Sequence, residues 1–153
     1  MSAERLGIDE MIAKIDDAWR DFQASFEGLD DERMLVPGVT GTWSVKDILA
    51  HVAVWDAFSL ERLPGILTTR EHGTHVDTDD FNARMTEAKR GLSLDEVRQE
   101  LEATHQRLLD YLRGVEPDAV AGNDAFVERL AADTWGHYPD HASAIRVWRE
   151  RRT

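Results

Sequence analysis

Cysteine is absent from the 153 residues. That removes disulfides, thiolate zinc sites and any thiol nucleophile carried by the chain itself, so a metal would have to rest on His, Asp or Glu. Long hydrophobic runs are also missing. The longest unbroken apolar stretch is residues 52–55, far short of the roughly 20 residues that cross a bilayer. The start, Met1-Ser2-Ala3-Glu4-Arg5, has no apolar segment of the kind a signal peptide needs. The expected location is therefore cytoplasmic. Cations are scarce: 18 Lys and Arg stand against 30 Asp and Glu, a formal charge of −12. Phosphate backbones and anionic membranes are repelled by such a surface, which argues against nucleic acid and membrane as partners.

What is present is an ordinary globular balance, 42% apolar and 31% charged, in a length that suits a single domain over residues 1–153. From Ile8 the apolar residues recur as Met11, Ile12, Ile15, Trp19, Phe22 and Phe26, one face of a helix that Gly28 ends. Pro37, Gly38 and Gly41 then predict an irregular crossing loop. Ser44 followed by Asp47 has the form of a capping box, and Val45, Ile48, Leu49, Val52, Trp55 and Leu63 continue as a second helix up to Pro64-Gly65. Residues 68–80 read as a solvated connection. A short helix from Phe81 to Gly91 follows, and Ser93 with Glu96 forms a second capping box. It opens a third long helix carrying Leu94, Val97, Leu101, Leu108, Leu112 and Val115 before Pro117. The last helix is expected over 134–151, with Trp135, Tyr138, Ala142, Ile145 and Trp148 inward. The fold class is all-α, a four-helix bundle. Its connections before the second helix and between the second and third are too long for tight turns, which leaves simple up-down-up-down connectivity open.

Chemistry concentrates in the histidines. His137 and His141 are four apart, the spacing that points two imidazoles to one side of a helix. Six histidines scattered at random would give such a pair in roughly one chain in five, so the pair alone is a weak motif. His51 adds weight, because it sits inside the apolar stripe of the second helix. There an unpaired ring would cost about 1–3 kcal/mol. Two partners are open to it: Asp47, one turn earlier, which would make it a satisfied core histidine, or a metal shared with His137 and His141. His72 and His75 fall in the polar connection, and His105 reads as a hydrogen-bonded boundary histidine. Trp43 and Trp55, on either side of His51, are the tryptophans expected nearest a pocket and the candidates for substrate binding.

The segment Gly41-Thr42-Trp43-Ser44-Val45-Lys46-Asp47-Ile48-Leu49-Ala50-His51-Val52-Ala53-Val54-Trp55-Asp56 resembles the second-helix signature of the DinB-like superfamily, including its ClbS/DfsB branch. Thr134-Trp135-Gly136-His137-Tyr138-Pro139-Asp140-His141 is similar to the family's last helix, and Phe81-Asn82-Ala83-Arg84-Met85 falls where related chains carry a comparable segment. The resemblance implies a four-helix bundle that often pairs as a homodimer. It also implies a divalent metal, most often nickel or zinc, held by His51, His137 and His141. Three nitrogen ligands leave positions for water or substrate, as catalytic sites do. The activities implied are those of a metal-dependent hydrolase, or of a transferase using a low-molecular-weight thiol, acting on a small electrophilic molecule in detoxification or stress response. Two rivals follow. One is a ClbS-like protective hydrolase or binder that works without metal. The other is a non-enzymatic dimeric bundle module, for which Trp19, Phe22, Phe26 and Trp148 would supply surplus apolar surface. One departure bears on the ligand pair: Pro139 lies inside it, harmless in the first turn of a helix and disruptive further in.

Overall fold

Most of the helices begin where a side chain answers an open backbone N–H at their start. The computed structural model describes residues 7–71 and 77–151. Helix α1 (Ile8–Phe26) starts with the Gly7 N–H on Glu10 Oε1 at 3.0 Å. After a single turn, α2 (Asp31–Met34), comes α3 (Val45–Thr69), where the Ser44 N–H donates to Asp47 and the Asp47 N–H returns to Ser44 Oγ. Helix α4 (Thr78–Lys89) is capped by Asp77, and α5 (Leu94–Arg113) by the reciprocal Ser93 and Glu96 pair. The short α6 (Pro117–Val120) leads to α7 (Asp124–Asp133), capped by Asn123, and the chain closes with α8 (Tyr138–Arg151). The described residues contain no strand, only a bridge between Thr40 and Trp43.

The four longest helices, α1, α3, α5 and α8, enclose the core. The faces read from periodicity are the buried ones: Met11, Ile15 and Phe22 on α1, Ile48, Leu49 and Val52 on α3, Val97, Leu108 and Leu112 on α5, Ala142, Ile145 and Trp148 on α8. Each fully buried side chain of this size contributes about 1.5–3 kcal/mol. Neighbour contacts give the directions. Asp21 pairs with Arg146, and Arg149 reaches the carbonyls of Ser25 and Glu27, so α1 and α8 run parallel. Asp56 faces His105 and Lys46 acts on Glu96, so α3 and α5 run parallel as well. Trp19 stacks on His105, while Ile8 and Arg113 line one groove, which sets α1 antiparallel to α5. The order is up-down-down-up, and the long α3 to α5 crossover, with α4 in it, is what such an order requires.

Several boundaries differ from the sequence reading. Helix α3 does not stop at Pro64-Gly65 but runs on to Thr69. Leu63 and Ile66 are both buried, and holding them outweighs the single backbone hydrogen bond that Pro64 removes. Thr78, Asp79 and Asp80, expected in a solvated connection, form the first turn of α4. The last helix begins at Tyr138, after a turn over residues 134–137. Pro139 thus falls at its second position, where the missing N–H has no partner to lose. The rings named as surplus surface are inside: Trp19, Phe22 and Trp148 are buried and Phe26 is partly so. No described helix is long and apolar enough to cross a membrane. His72 and His75 lie outside the described residues.

Candidate metal centre

His51 projects from the second turn of α3. The loop before that helix folds back on itself, with Gly38 and Gly41 at positive φ (109° and 59°), and the Gly38 and Val39 N–H groups donate to the Trp43 carbonyl. This fixes Trp43 so that its ring lies 4.8 Å from the His51 ring, centroid to centroid. His137 is held differently, in the turn between α7 and α8. The Gly136 N–H donates to the Ala131 carbonyl at 2.8 Å and the His137 N–H to the Thr134 carbonyl at 2.8 Å. Gly136 is required there, because a Cβ would stand 2.8 Å from the Ala131 oxygen. His141 follows one turn into α8.

The three rings converge edge to edge. His137 Nε2 lies 3.0 Å from His51 Nε2 and 2.9 Å from His141 Nε2, and one ligand atom from each residue falls within 4.8 Å of the others. A neutral imidazole nitrogen carries either one proton or one lone pair, so His137 Nε2 can satisfy only one of its two close neighbours. A cation shared by three lone pairs satisfies all of them. Two nitrogens about 2.0–2.1 Å from one ion lie about 2.9–3.4 Å apart for bond angles of about 90–109°, which matches the observed separations. Electrostatics favour the ligating form. Burial, then repulsion from His141 and His137, brings the His51 ring down to about 3, and burial with His137 does the same to His141. His137 is lowered by burial, opposed by the Asp133 backbone and the Asp140 carboxylate. All three rings are uncharged at neutral pH. The residues fit a divalent metal.

Asp47 is not the partner of His51. Its carboxylate is taken up by the Ser44 N–H and hydroxyl at the start of α3, so the satisfied-histidine alternative loses its proposed acceptor. The family model of the DinB superfamily matches residues 14–149. The chain belongs to the DinB superfamily. Solved structures agree on the fold. The chain is similar to the protein described as Sibling Lethal Factor Precursor - DfsB, at 16% identity and a TM-score of 0.78, with 97% of this chain and 98% of that one covered. It is similar also to an uncharacterised protein from Escherichia coli UTI89 (13%, 0.76, 95% and 94%) and to a protein from Streptococcus pneumoniae (13%, 0.76, 98% and 94%). No curated protein matches the sequence.

In this DinB-superfamily chain His51 and His137 open onto a cleft of about 210 Å³ that is also lined by Trp55, Thr78, Asn82, Arg129, Ala132 and Asp133. Trp55 is a wall of that cleft. Trp43 is not among its lining residues and acts instead as a packing surface for His51. The sequence reading passed over Arg129, Asp133, Asn82 and Thr78. The signal available for the first two was their spacing of four, and Arg129 does hold both oxygens of Asp133, at 3.0 and 2.6 Å.

Behind the site lies a second polar group, also unforeseen. Asp56 is fully buried; its Oδ1 accepts from the Tyr138 hydroxyl at 2.9 Å, while Oδ2 has no hydrogen-bond partner and stands 3.9 Å from His105 Nδ1. His105 is buried, stacked on Trp19 with centroids 3.6 Å apart and planes 7° from parallel. It is a core histidine, not a boundary one, because α1 covers the face of α5 that carries it.

Proposed function

We propose that this protein is a divalent-metal-dependent enzyme acting on a small electrophile, with nickel or zinc on His51, His137 and His141. The observation that carries the reading is the convergence of three neutral Nε2 atoms, two contacts of which, 2.9 and 3.0 Å, share one nitrogen. A divalent ion there would supply Lewis acidity and favour the deprotonated form of water or of an added thiol. The chain's own residues do the rest. His51 and His137 present one edge of the centre to the cleft, Trp55 offers a flat apolar wall, and the bundle closes the opposite side against water. With no cysteine in the chain, the nucleophile is external: water in a hydrolase, a low-molecular-weight thiol in a transferase. A detoxification or stress role in the cytoplasm suits either. A homodimer rests on the family resemblance alone, since the aromatic rings offered as surplus surface are buried. Light scattering giving 17.4 kDa at micromolar concentration would refute it.

The deciding experiment is elemental analysis of protein purified without a His-tag or chelator. The expected result is about one divalent ion per chain, lost sharply in His51→Ala, His137→Ala and His141→Ala and kept in His105→Ala. An ion at about 100 times its dissociation constant adds about 2.7 kcal/mol of stability, so chelator should lower the wild-type melting temperature and leave the three variants unmoved. Full occupancy in His51→Ala refutes the site. The ClbS-like metal-independent reading predicts electrophile turnover that chelator leaves untouched. Turnover of an aryl halide and a small epoxide with and without glutathione separates transferase from hydrolase.

A further inference from the structure

Two polar side chains of the cleft, Asn82 and Arg129, present hydrogen-bond donors. Asn82 Oδ1 accepts the Trp55 indole N–H at 2.8 Å, so the end of the amide left for a ligand is the nitrogen, with its two N–H groups. Arg129 is fixed too. Its Nε and Nη2 are held by Asp133, which is itself 1% exposed and takes a further hydrogen bond from Ser59. Among the described residues Arg129 Nη1 makes no hydrogen bond, and the guanidinium lies 5.4 Å from the Phe58 ring and 6.0 Å from the Trp55 ring. Both Asp133 oxygens are already engaged. Apart from the histidine nitrogens, the Thr78 hydroxyl and the Asp133 carboxylate, which is committed to Arg129 and Ser59, the polar lining offers hydrogen-bond donors. The acidic start of α4 does not cancel them: Asp77 caps the helix backbone and Asp80 pairs with Arg84 at 2.9 Å.

Building on the metal reading above, we propose that Arg129 and Asn82 form the specificity-determining subsite of this cleft and that its substrate is a small electrophile bearing a carboxylate. A planar carboxylate accepts from the guanidinium N–H groups that Asp133 leaves open and from an amide N–H, and such charge-assisted bonds are shorter and stronger than neutral ones. The Arg129 charge is already shared with Asp133, so the subsite takes one added negative charge far more readily than the two of a phosphate dianion. The volume of about 210 Å³ lies below the usual range for drug-sized ligands and restricts the substrate to a small molecule. With its carboxylate on Arg129 and its apolar body along Trp55, the molecule brings its reactive carbon toward His51 and His137.

The test uses benzoate and the neutral isostere benzamide, titrated by calorimetry into the full chain with and without zinc. The Trp55 indole N–H resonance locates the bound probe. Benzoate should bind at least roughly tenfold tighter than benzamide, and Arg129→Gln should remove the difference. Since that variant leaves Asp133 unpaired, Arg129→Lys serves as a second: it keeps the charge, loses the fork, and should lose most of the preference with the melting temperature retained. His51→Ala tells the two readings apart. If the benzoate preference survives there and depends on Arg129, the subsite stands whether or not the wild type binds metal. If the preference vanishes in His51→Ala and persists in Arg129→Lys and Arg129→Gln, the carboxylate sits on the metal, which overturns the subsite and leaves the metal centre intact. Equal binding of benzoate and benzamide, an unmoved Trp55 resonance, or tighter binding of inorganic phosphate than of benzoate likewise overturns it.

Discussion

Asp56→Asn should make this protein more stable at neutral pH and not at acid pH. Asp56 is fully buried, and burial outweighs the Tyr138 hydrogen bond and the nearby His105, raising its carboxyl from 3.8 to about 6. The folded state therefore holds the proton more tightly than the unfolded state between those values. The contribution is fully present below 3.8 and is lost as pH rises through about 6. At about 1.4 kcal/mol for each pH unit of that window, the ionised carboxylate costs about 3 kcal/mol above it. Asparagine keeps an oxygen for the Tyr138 hydroxyl and removes the charge. Its amide N–H groups face a place where Oδ2 has no partner, which returns about 1 kcal/mol of the gain. The net is about 2 kcal/mol at pH 8, or about 4–8 °C in Tm for a domain of this size. At pH 4 the variant should be level with wild type or about 1 kcal/mol weaker. Urea titrations of both proteins at pH 4, 6 and 8 measure the difference, and terms common to both, including the histidine triad, cancel. A gain of equal size at pH 4 and 8, or a loss at pH 8, would refute the account of a buried charge.

The triad itself sets an acid limit. With chelator present, wild type should lose stability as pH falls from about 6.5 toward 3, because His51 and His141, both lowered to about 3 in the folded state, bind protons only on unfolding. Each adds a slope of up to about 1.4 kcal/mol per pH unit; His137 acts in the same direction, while Asp56 and Asp133, both raised by burial, oppose them, so a flat Tm between pH 6.5 and 4.5 contradicts the buried neutral rings. Gly136→Ala should cost about 1–3 kcal/mol, since its Cβ would press on the Ala131 carbonyl at 2.8 Å. It should also reduce metal content by displacing His137, so unchanged Tm and unchanged metal together would show that the turn is not held as described.

Much of the scaffold could be read because its signals are local. The Ser44 with Asp47 and Ser93 with Glu96 boxes announce α3 and α5 through bonds that span three residues, and the stripes on α1 and α5 follow a helical period that burial obeys. What could not be read was settled at a distance. Pro64 looks like a stop until Leu63 and Ile66 are seen in the core. Helix α7 is only ten residues long, and its cap Asn123 is secured by the Ile66 carbonyl of α3, 57 residues earlier. Asp47 and His51 have the spacing of partners, yet capping its own helix engaged Asp47 first. The triad was suggested by the His137 and His141 spacing and completed by family resemblance. The donors that line the cleft were hidden because Asn82 and Arg129 acquire meaning only when α4 and α7 are laid beside α3.

Helix α4 contributes Thr78 and Asn82 to the cleft and carries no fully buried residue. Its attachment energy is small beside that of the four core helices, so substitutions along it change what the cleft accepts at little expense to folding. The histidines ride on α3, on α8 and on the turn before α8, elements seated in the core, where truncating an inward-facing side chain costs far more. Selection acting on this chain thus meets two separable parts: a histidine cluster that must stay where it is, and one replaceable wall whose shape and polarity can change while the cluster is kept.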